Sequence, residues 1–409
     1  MKPEIDEHGT RRPKEEDSME QYLGKETFKL GFGLMRLPKN EDGSIDIPQV
    51  SRMADAFIAA GRTYFDTAYV YSGSEAALGE ILERNNIRDK VNIATKLPQY
   101  LIGSRAAVDR YFDEELKRLR TDHVEYYLMH HMTAMNQWDK LKNVGIEDWF
   151  REKKATGQIK NIGFSYHGNT EDFIAILNAY DWDFCQIQYN YVDEVSQAGV
   201  EGLKAAAKKG IPVVIMEPLR GGKLVNLLPD KAKELIASKD TGYTPAEYGL
   251  RWLWNQPEVT CVLSGMNSLE MVRENCRIAS DAEAGSFTED DFDTIARVKE
   301  IIKETELVGC TGCRYCMPCP KGVDIPALFR SYNMTALENK QNARFEYAQT
   351  VGLKKEPAFA TQCIGCGKCE QHCPQNIPIR EKIKEADRVV RPLPYRIGIN
   401  VVRKFMLRG

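Results

Sequence analysis

The chain predicts a (β/α)8 barrel, of TIM type, followed by a small cysteine-dense α+β domain. Three observations carry this expectation. Eight short apolar runs alternate with amphipathic helical patterns from Leu30 to about residue 282. No G-x-G-x-x-G follows the first run, where Gly31-Phe32-Gly33 leads into Leu34-Met35-Arg36. Eight of the eleven cysteines fall in two tight runs after residue 309. At 409 residues the chain is long enough to bury a large core and still carry a second domain.

Candidate strands lie at 30–33, 63–66, 91–96, 124–130, 159–164, 184–188, 212–217 and 261–265. Helical patterns fill the intervals, for example 50–60 after Pro48, 106–119, 170–179, 198–209 before Gly210, and 244–255 with Pro245 in its first turn. Strands that alternate with helices are parallel and joined by right-handed crossovers. Eight repeats favour closure over an open doubly wound sheet, and the missing glycine fingerprint points the same way. The predicted division is an N-terminal extension (1–25), the barrel (26–282), an acidic connector helix (283–303), the cysteine-rich domain (304–385) and a basic tail (386–409). Solvation of that tail is its simplest role; an acidic redox partner or a membrane surface is the alternative.

The composition is 43% hydrophobic and 28% charged, that of an ordinary soluble globular protein. A net charge of −3 offers no global attraction for nucleic acid. No apolar stretch is long enough to predict a transmembrane segment, and the charged N-terminus (Lys2, Glu4, Asp6, Arg11, Arg12) lacks a signal-peptide core. A cytoplasmic location is expected. Cys185, Cys261 and Cys276, scattered among apolar residues, read as buried hydrophobes.

Barrel chemistry sits where strands end and βα-loops begin. Asp66 closes the second candidate strand, Tyr71 lies five residues on, Lys96 closes the third strand and His130 the fourth. A lysine or tyrosine at one strand end is more often structural, but the four make chemical sense together. A phenol titrates near 10, and an adjacent ammonium lowers that value by favouring phenolate. Asp66 would keep Lys96 charged, and His130 would orient a substrate oxygen beside Tyr71, which then gives or takes the proton of an alkoxide.

Phe65-Asp66-Thr67-Ala68-Tyr69-Val70-Tyr71, followed by Gly73-Ser74-Glu75, resembles the F-D-T-A-x-x-Y signature of the aldo/keto reductase family. Ala94-Thr95-Lys96 and the run from Asp122 to His130 resemble that family's lysine and histidine strands, and the likeness spans roughly residues 27–280. It implies reduction of an aldehyde or ketone, a small carbonyl substrate, by NADP(H) or NAD(H), with Tyr71 as acid/base, Lys96 and Asp66 tuning it, and His130 orienting the carbonyl. It also implies cofactor contacts at Gly33, Met35, Ser165, Gln186, Met216, Leu219, Gly265, Glu274 and Asn275. Several of these depart from the family. Tyr166 stands where asparagine is common, Met216 replaces an aromatic, and Met271 replaces a phosphate-binding arginine or glutamine that Arg273 would have to supply. The weakened nicotinamide platform leaves NADP against NAD open, with FMN or FAD as the alternative.

The second cysteine run is Cys363-x₂-Cys366-x₂-Cys369-x₃-Cys373-Pro374, and the first is Cys310-x₂-Cys313-x₂-Cys316-x₂-Cys319-Pro320. A cysteine-poor barrel followed by such a domain argues for metal ligation over a secreted disulfide framework. Zinc ribbons use two cysteines per knuckle, whereas four in a row ending in proline suit iron–sulfur clusters. The domain resembles bacterial two-cluster ferredoxins, and its fusion to the barrel resembles an aldo/keto reductase subgroup. The resemblance implies two [4Fe-4S] clusters with exchanged fourth ligands. One would use Cys310, Cys313, Cys316 and Cys373; the other would use Cys363, Cys366, Cys369 and Cys319.

A nicotinamide moves two electrons as hydride while each cluster moves one, so a flavin would be needed to connect them. Three functions follow: a carbonyl reductase with supporting clusters, a flavin-mediated ferredoxin-linked reductase with a redox partner protein, or an electron-carrier or assembly module on a silent barrel. The intact tetrad favours the first two. Loops 100–104 and 132–144, with Leu101, Ile102, Met135 and Trp138, are predicted to line the substrate pocket.

Overall fold

Eight parallel strands close on themselves: β1 (Leu30–Gly33), β2 (Tyr64–Asp66), β3 (Asn92–Leu97), β4 (Val124–Met132), β5 (Ile159–Tyr166), β6 (Phe184–Gln188), β7 (Val213–Met216) and β8 (Cys261–Ser264). Each pairs with its neighbour in sequence, and β8 returns to β1 with Leu30 opposite Val262. The computed structural model describes residues 29–168, 170–195, 197–310, 312, 316–337, 340–352, 357–373 and 376–406. The extension 1–25, Cys313 and Pro374 lie outside the described residues.

Successive strand residues face opposite sides of a sheet, and the apolar pattern obeys that period. Tyr64, Ala94, Tyr126, Leu128, Phe184, Val214, Cys261 and Leu263 fill the barrel interior. Edge-on contacts of 5.2 Å for Tyr64–Tyr126 and 5.3 Å for Tyr126–Phe184 run across it. A Cβ on inward-facing Gly31 would lie 2.5 Å from Leu263 and 2.9 Å from Tyr64, so a larger residue does not fit there. The opposite parity packs on the helices, as in the Phe32–Phe57–Phe65 cluster. Cys185, Cys261 and Cys276 are all buried.

Local sequence starts the crossover helices. Asp46 accepts from Gln49 N at 2.9 Å ahead of Ile47–Ala59, and Thr244 accepts from Glu247 N at 3.1 Å ahead of Pro245–Trp254. Ser268 does the same for Leu269–Asp281. Each such cap is worth about 1 kcal/mol. The predicted loop 132–144 is different: Met135–Asn143 is a helix. Gln137 Oε1 accepts from Thr133 N at 2.6 Å, which anchors its first turn. Trp138 is fully buried against Trp182, with ring centroids 4.8 Å apart, and is core rather than pocket wall. Ile102 is likewise buried, while Tyr100 and Leu101 stay exposed.

The chain groups into two units, residues up to 224 with 243–291, and 225–242 with residues from 292 onward. Among the described residues of the second unit every regular element is a helix, where the sequence predicts α+β. Leu328, Phe329, Tyr347, Ile383, Val390 and Ile399 belong to its core, and Cys310, Cys316, Cys319, Cys363, Cys369 and Cys373 pack against that core. The stretch predicted as a basic tail is the end of helix Ile379–Val390 and the helix Leu393–Met406. Buried Asp387 holds them together, pairing with Arg391 at 2.9 Å and Arg396 at 3.2 Å. Among the described residues no helix is long and apolar enough to cross a membrane.

Candidate active site and cysteine centre

The strand period that fills the barrel also sets its mouth. Asp66, Lys96 and His130 share the parity of Tyr64, Ala94, Tyr126 and Leu128, one step further along their strands. Ser165, Gln186 and Met216 extend the same inward row across β5, β6 and β7, with Ser165 opposite Gln186. Lys96 Nζ donates to Asp66 Oδ1 and to Thr67 O, both at 2.6 Å. It lies 5.1 Å from the Tyr71 ring centroid, and that ring meets His130 edge-on at 5.8 Å. The structure therefore gathers all four predicted tetrad residues at one place.

The loop that presents Tyr71 is tied down by residues whose roles sequence reasoning missed. The Thr67 and Ser74 hydroxyls are 2.7 Å apart, and Ser74 Oγ donates to Leu34 O at 3.0 Å. Buried Glu75 accepts from Thr95 Oγ1 at 2.6 Å and from Arg118 at 3.2 Å, and Arg118 lies 4.1 Å over the Tyr69 ring. The available signal was polar: Ser74-Glu75 is a buried pair at the start of an otherwise apolar helix face.

Burial dominates the electrostatics. It pushes the Tyr71 phenol above its ordinary value of 10.0, although the Lys96 ammonium pulls the other way. The expectation that Lys96 brings Tyr71 towards neutrality is therefore corrected: desolvation outweighs the single charge, and Tyr71 is a protonated donor at neutral pH. Burial also opposes the Lys96 charge, but Asp66 and Tyr71 together leave its pKa raised. His130 is pushed down to about 2 by burial, then by Lys96, His131 and His167, so it is a neutral imidazole.

Three buried polar atoms here have no hydrogen-bond partner: Asp66 Oδ2, His130 Nδ1 and Gln186 Oε1. Unpaired buried groups are costly, and these three at one barrel mouth are groups that a bound ligand could satisfy. A further feature is His131. The register of β4 shifts between Met129 and Met132, and His131 adopts φ 59° with its N–H bonded to Ser165 Oγ at 2.8 Å. Its ring lies 4.7 Å from that of His167, so two imidazoles line the mouth beside His130.

The expected cofactor contacts divide into two groups. Gly33, Ser165, Gln186 and Met216 face the mouth, and Leu219 begins a loop in which Arg220, Gly221 and Gly222 all have positive φ. The turn closes on itself: Arg220 N donates to Glu217 O at 3.1 Å and Gly222 N to Leu219 O at 2.9 Å, so neither N–H is free for an anion. Gly221 also leaves room for Arg36, whose guanidinium would be 3.1 Å from a Cβ there. Arg220 itself is committed to Asp193 through two 2.7 Å bonds. Asn275 and Glu274 are engaged within the fold, Asn275 Nδ2 donating to Ser264 Oγ at 2.9 Å and Glu274 accepting from Thr244 at 3.2 Å. Gly265, Met35, Met271 and Arg273 are exposed.

In the second unit a cavity of about 260 Å³ is lined by Cys316, Cys319, Cys363, Cys366 and Cys369. Three cysteines of the second run thus share a wall with the last two described cysteines of the first, Cys316 and Cys319. Cys310 and Cys373 sit on the same apolar core outside that lining. None of the described cluster cysteines is in a disulfide. Among the described residues no three Cys, His, Asp or Glu side chains are drawn to metal-ligand spacing. The donor set nonetheless fits iron–sulfur chemistry, since soft thiolates line one apolar-backed cavity.

The sequence pattern described as the aldo/keto reductase family matches residues 29–300, and that of the 4Fe-4S dicluster domain matches 309–377. The uncharacterized oxidoreductase YrpG of Bacillus subtilis is 27% identical over 300 residues, 63% of this chain and 89% of its own length. L-Galactose dehydrogenase of Arabidopsis thaliana is 25% identical over 305 residues, 68% of this chain and 93% of its own. Among solved structures, the holo form of aldo-keto reductase AKR11C1 from Bacillus halodurans superposes with a TM-score of 0.55 at 25% identity, covering 68% of this chain and 95% of its own. An aldo/keto reductase from Klebsiella pneumoniae, solved with NADP and acetate, shares the fold with a TM-score of 0.54 at 23% identity, covering 66% of this chain and 90% of its own. The chain is a member of the aldo/keto reductase family of oxidoreductases and carries a 4Fe-4S dicluster domain behind its barrel.

Proposed function

We propose that the barrel reduces an aldehyde or ketone with NAD(P)H, Tyr71 delivering the proton, while the second unit holds two [4Fe-4S] clusters. The observation that carries this reading is the buried Lys96–Asp66 pair beneath a protonated Tyr71, next to a neutral His130. The His130 imidazole orients the substrate oxygen without placing a second positive charge there. Tyr71 Oη then gives its proton to that oxygen as negative charge develops on it, and Lys96 stabilises the phenolate left behind. Gln186 and the Ser165 hydroxyl are the groups that would hold the nicotinamide, and the loop that begins at Leu219 would meet its phosphates. When bound, the reduced nicotinamide supplies a hydride, and the clusters supply single-electron transfer.

For the clusters we assign Cys363, Cys366, Cys369 and Cys319 to one site and Cys310, Cys313, Cys316 and Cys373 to the other. The cavity that brings Cys316 and Cys319 beside the second run supports cysteines of both runs serving one cluster; the exchange of fourth ligands itself is what the resemblance to two-cluster ferredoxins implies. A flavin-mediated, ferredoxin-linked reductase is the second reading. It is favoured by Met216 in the position of an aromatic platform and by Ser165 Oγ accepting from His131 N, which leaves that side chain only its hydroxyl proton for a carboxamide. A cytoplasmic location accords with either reading.

One experiment separates them: iron, sulfide, flavin and NADP(H) binding measured on protein purified without oxygen. About eight irons with no flavin and saturable NADP(H) or NAD(H) binding is the expected result. Bound flavin would transfer the assignment to the ferredoxin-linked reading. Absence of both flavin and nicotinamide binding would leave an electron-carrier module.

A further inference from the structure

The last helix of the second unit, Leu393–Met406, packs one side inward through Ile399, which is 5% exposed and belongs to the unit's core. Its other side is mainly apolar and uncovered, with Asn400 the exposed polar residue on it among those whose side chains are described. Leu393 is 69% exposed, Ile397 58%, Val401 49% and Val402 44%. The first three are spaced at i, i+4 and i+8 and so form one ridge along the helix. Exposed Pro394 and Gly398 lie beside that ridge and add no polar group. A soluble surface helix normally turns such a stripe towards its core; this one turns Ile399 inward and leaves the longer stripe out.

The charge around the ridge is one-sided. From residue 388 to the last residue the sequence contains Arg388, Arg391, Arg396, Arg403, Lys404 and Arg408 and no aspartate or glutamate. Asp387 neutralises Arg391 and part of Arg396, and the remaining bases are left unbalanced within the segment. An exposed aliphatic ridge in a segment whose charged residues after Asp387 are all cations matches two features of a lipid surface: an apolar interior and anionic headgroups. Self-association is disfavoured, because two copies of this helix would bring like charges together around the ridge.

From these observations we infer that helix Leu393–Met406 is an in-plane anchor that seats the second unit on an anionic membrane surface. Leu393, Ile397 and Val401 enter the headgroup boundary, and the flanking arginines and lysine meet lipid phosphates. The helix is too short and too polar to span, so binding is peripheral and reversible. This inference is independent of the barrel's substrate and of the cofactor it uses.

The test is flotation of the full-length, cluster-loaded protein with vesicles, either pure phosphatidylcholine or an equal mixture with phosphatidylglycerol. The protein should float with the mixed vesicles at low salt and remain unbound with the neutral ones. Ile397→Glu with Val401→Glu should weaken partitioning on the order of tenfold or more, with iron content and helical circular dichroism unchanged. Arg403→Glu with Lys404→Glu, which leaves the apolar ridge alone, should weaken it by a similar factor. Failure of the wild-type protein to bind mixed vesicles overturns the inference. So does equal binding by both variants, or a dimer in solution that Ile397→Glu dissociates.

Discussion

The two units solve the same problem, holding polar groups in an apolar setting, by different means. In the barrel mouth the functional side chains are held by protein alone. Lys96 is pinned by Asp66 and Thr67 O, and the Tyr71 loop is pinned through Thr67, Ser74 and Leu34 O. In the second unit all of the described cluster cysteines but Cys369, which sits in the short helix Lys368–Gln371, stand on loops whose turns use Gly312, Gly322, Gly365 and Gly367 at positive φ, over a small helical core. A site of the first kind is preorganised before any ligand arrives; one of the second kind draws part of its order from the metal. The barrel should therefore tolerate loss of its cofactor, whereas the cysteine unit should not tolerate loss of its clusters.

The largest effect expected is on chemistry in the rigid site. Tyr71→Phe should lower carbonyl reduction by about 10²–10⁴-fold while leaving thermal stability, iron content and nicotinamide binding in place, measured by turnover and calorimetry. Retained turnover would remove Tyr71 as the proton donor. Next comes the metal-dependent site: Cys366→Ala should halve the iron and sulfide and lower the unfolding temperature of the second unit, with the barrel transition unmoved. Unchanged iron would contradict the ligand assignment.

A smaller effect concerns the supports of the rigid site. Ser74→Ala leaves Leu34 O and the Thr67 hydroxyl without their buried partner, which costs about 1–3 kcal/mol of stability. The accompanying loss of turnover should be modest, since Tyr71 keeps its neighbours.

The smallest effects are in pH dependence. Because the Tyr71 pKa is raised above 10.0, the protonated donor persists through neutrality, and reduction should decline only on the alkaline side of that value. His130 has a folded pKa near 2 against an ordinary 6.5. Its contribution to stability is therefore complete above 6.5 and is lost as pH falls through that window. The slope is at most about 1.4 kcal/mol per pH unit for one proton, and partial exposure reduces it. Urea unfolding of wild type and His130→Gln between these limits measures it; parallel curves would show that His130 is not held neutral.

Much of this site is legible along the chain because a barrel strand places every second residue inward. Asp66, Lys96 and His130 stand at strand ends in order, and one register rule brings them to one rim. The cysteine runs are legible for a similar reason, since close spacing in sequence forces proximity whatever the fold. The Met135–Asn143 helix was hidden because its polar composition reads as loop, and Trp138 reads as pocket lining until Trp182 is seen against it. Glu75 and Arg118 are separated by 43 residues, a partnership that no local pattern announces.

By itself the sequence determines the eight-fold alternation, the tetrad, the two cysteine runs and the uniformly basic C-terminal segment, all properties of spacing and residue type. Only the tertiary structure decides that Tyr71 is a half-buried acid and not a ready phenolate, because desolvation depends on what surrounds a group in three dimensions. It alone decides that Cys319 shares a cavity with the second run, and that Ile399 turns inward while Leu393, Ile397 and Val401 turn out. Which face of an amphipathic helix is covered depends on the rest of the fold, and periodicity specifies only that two faces exist.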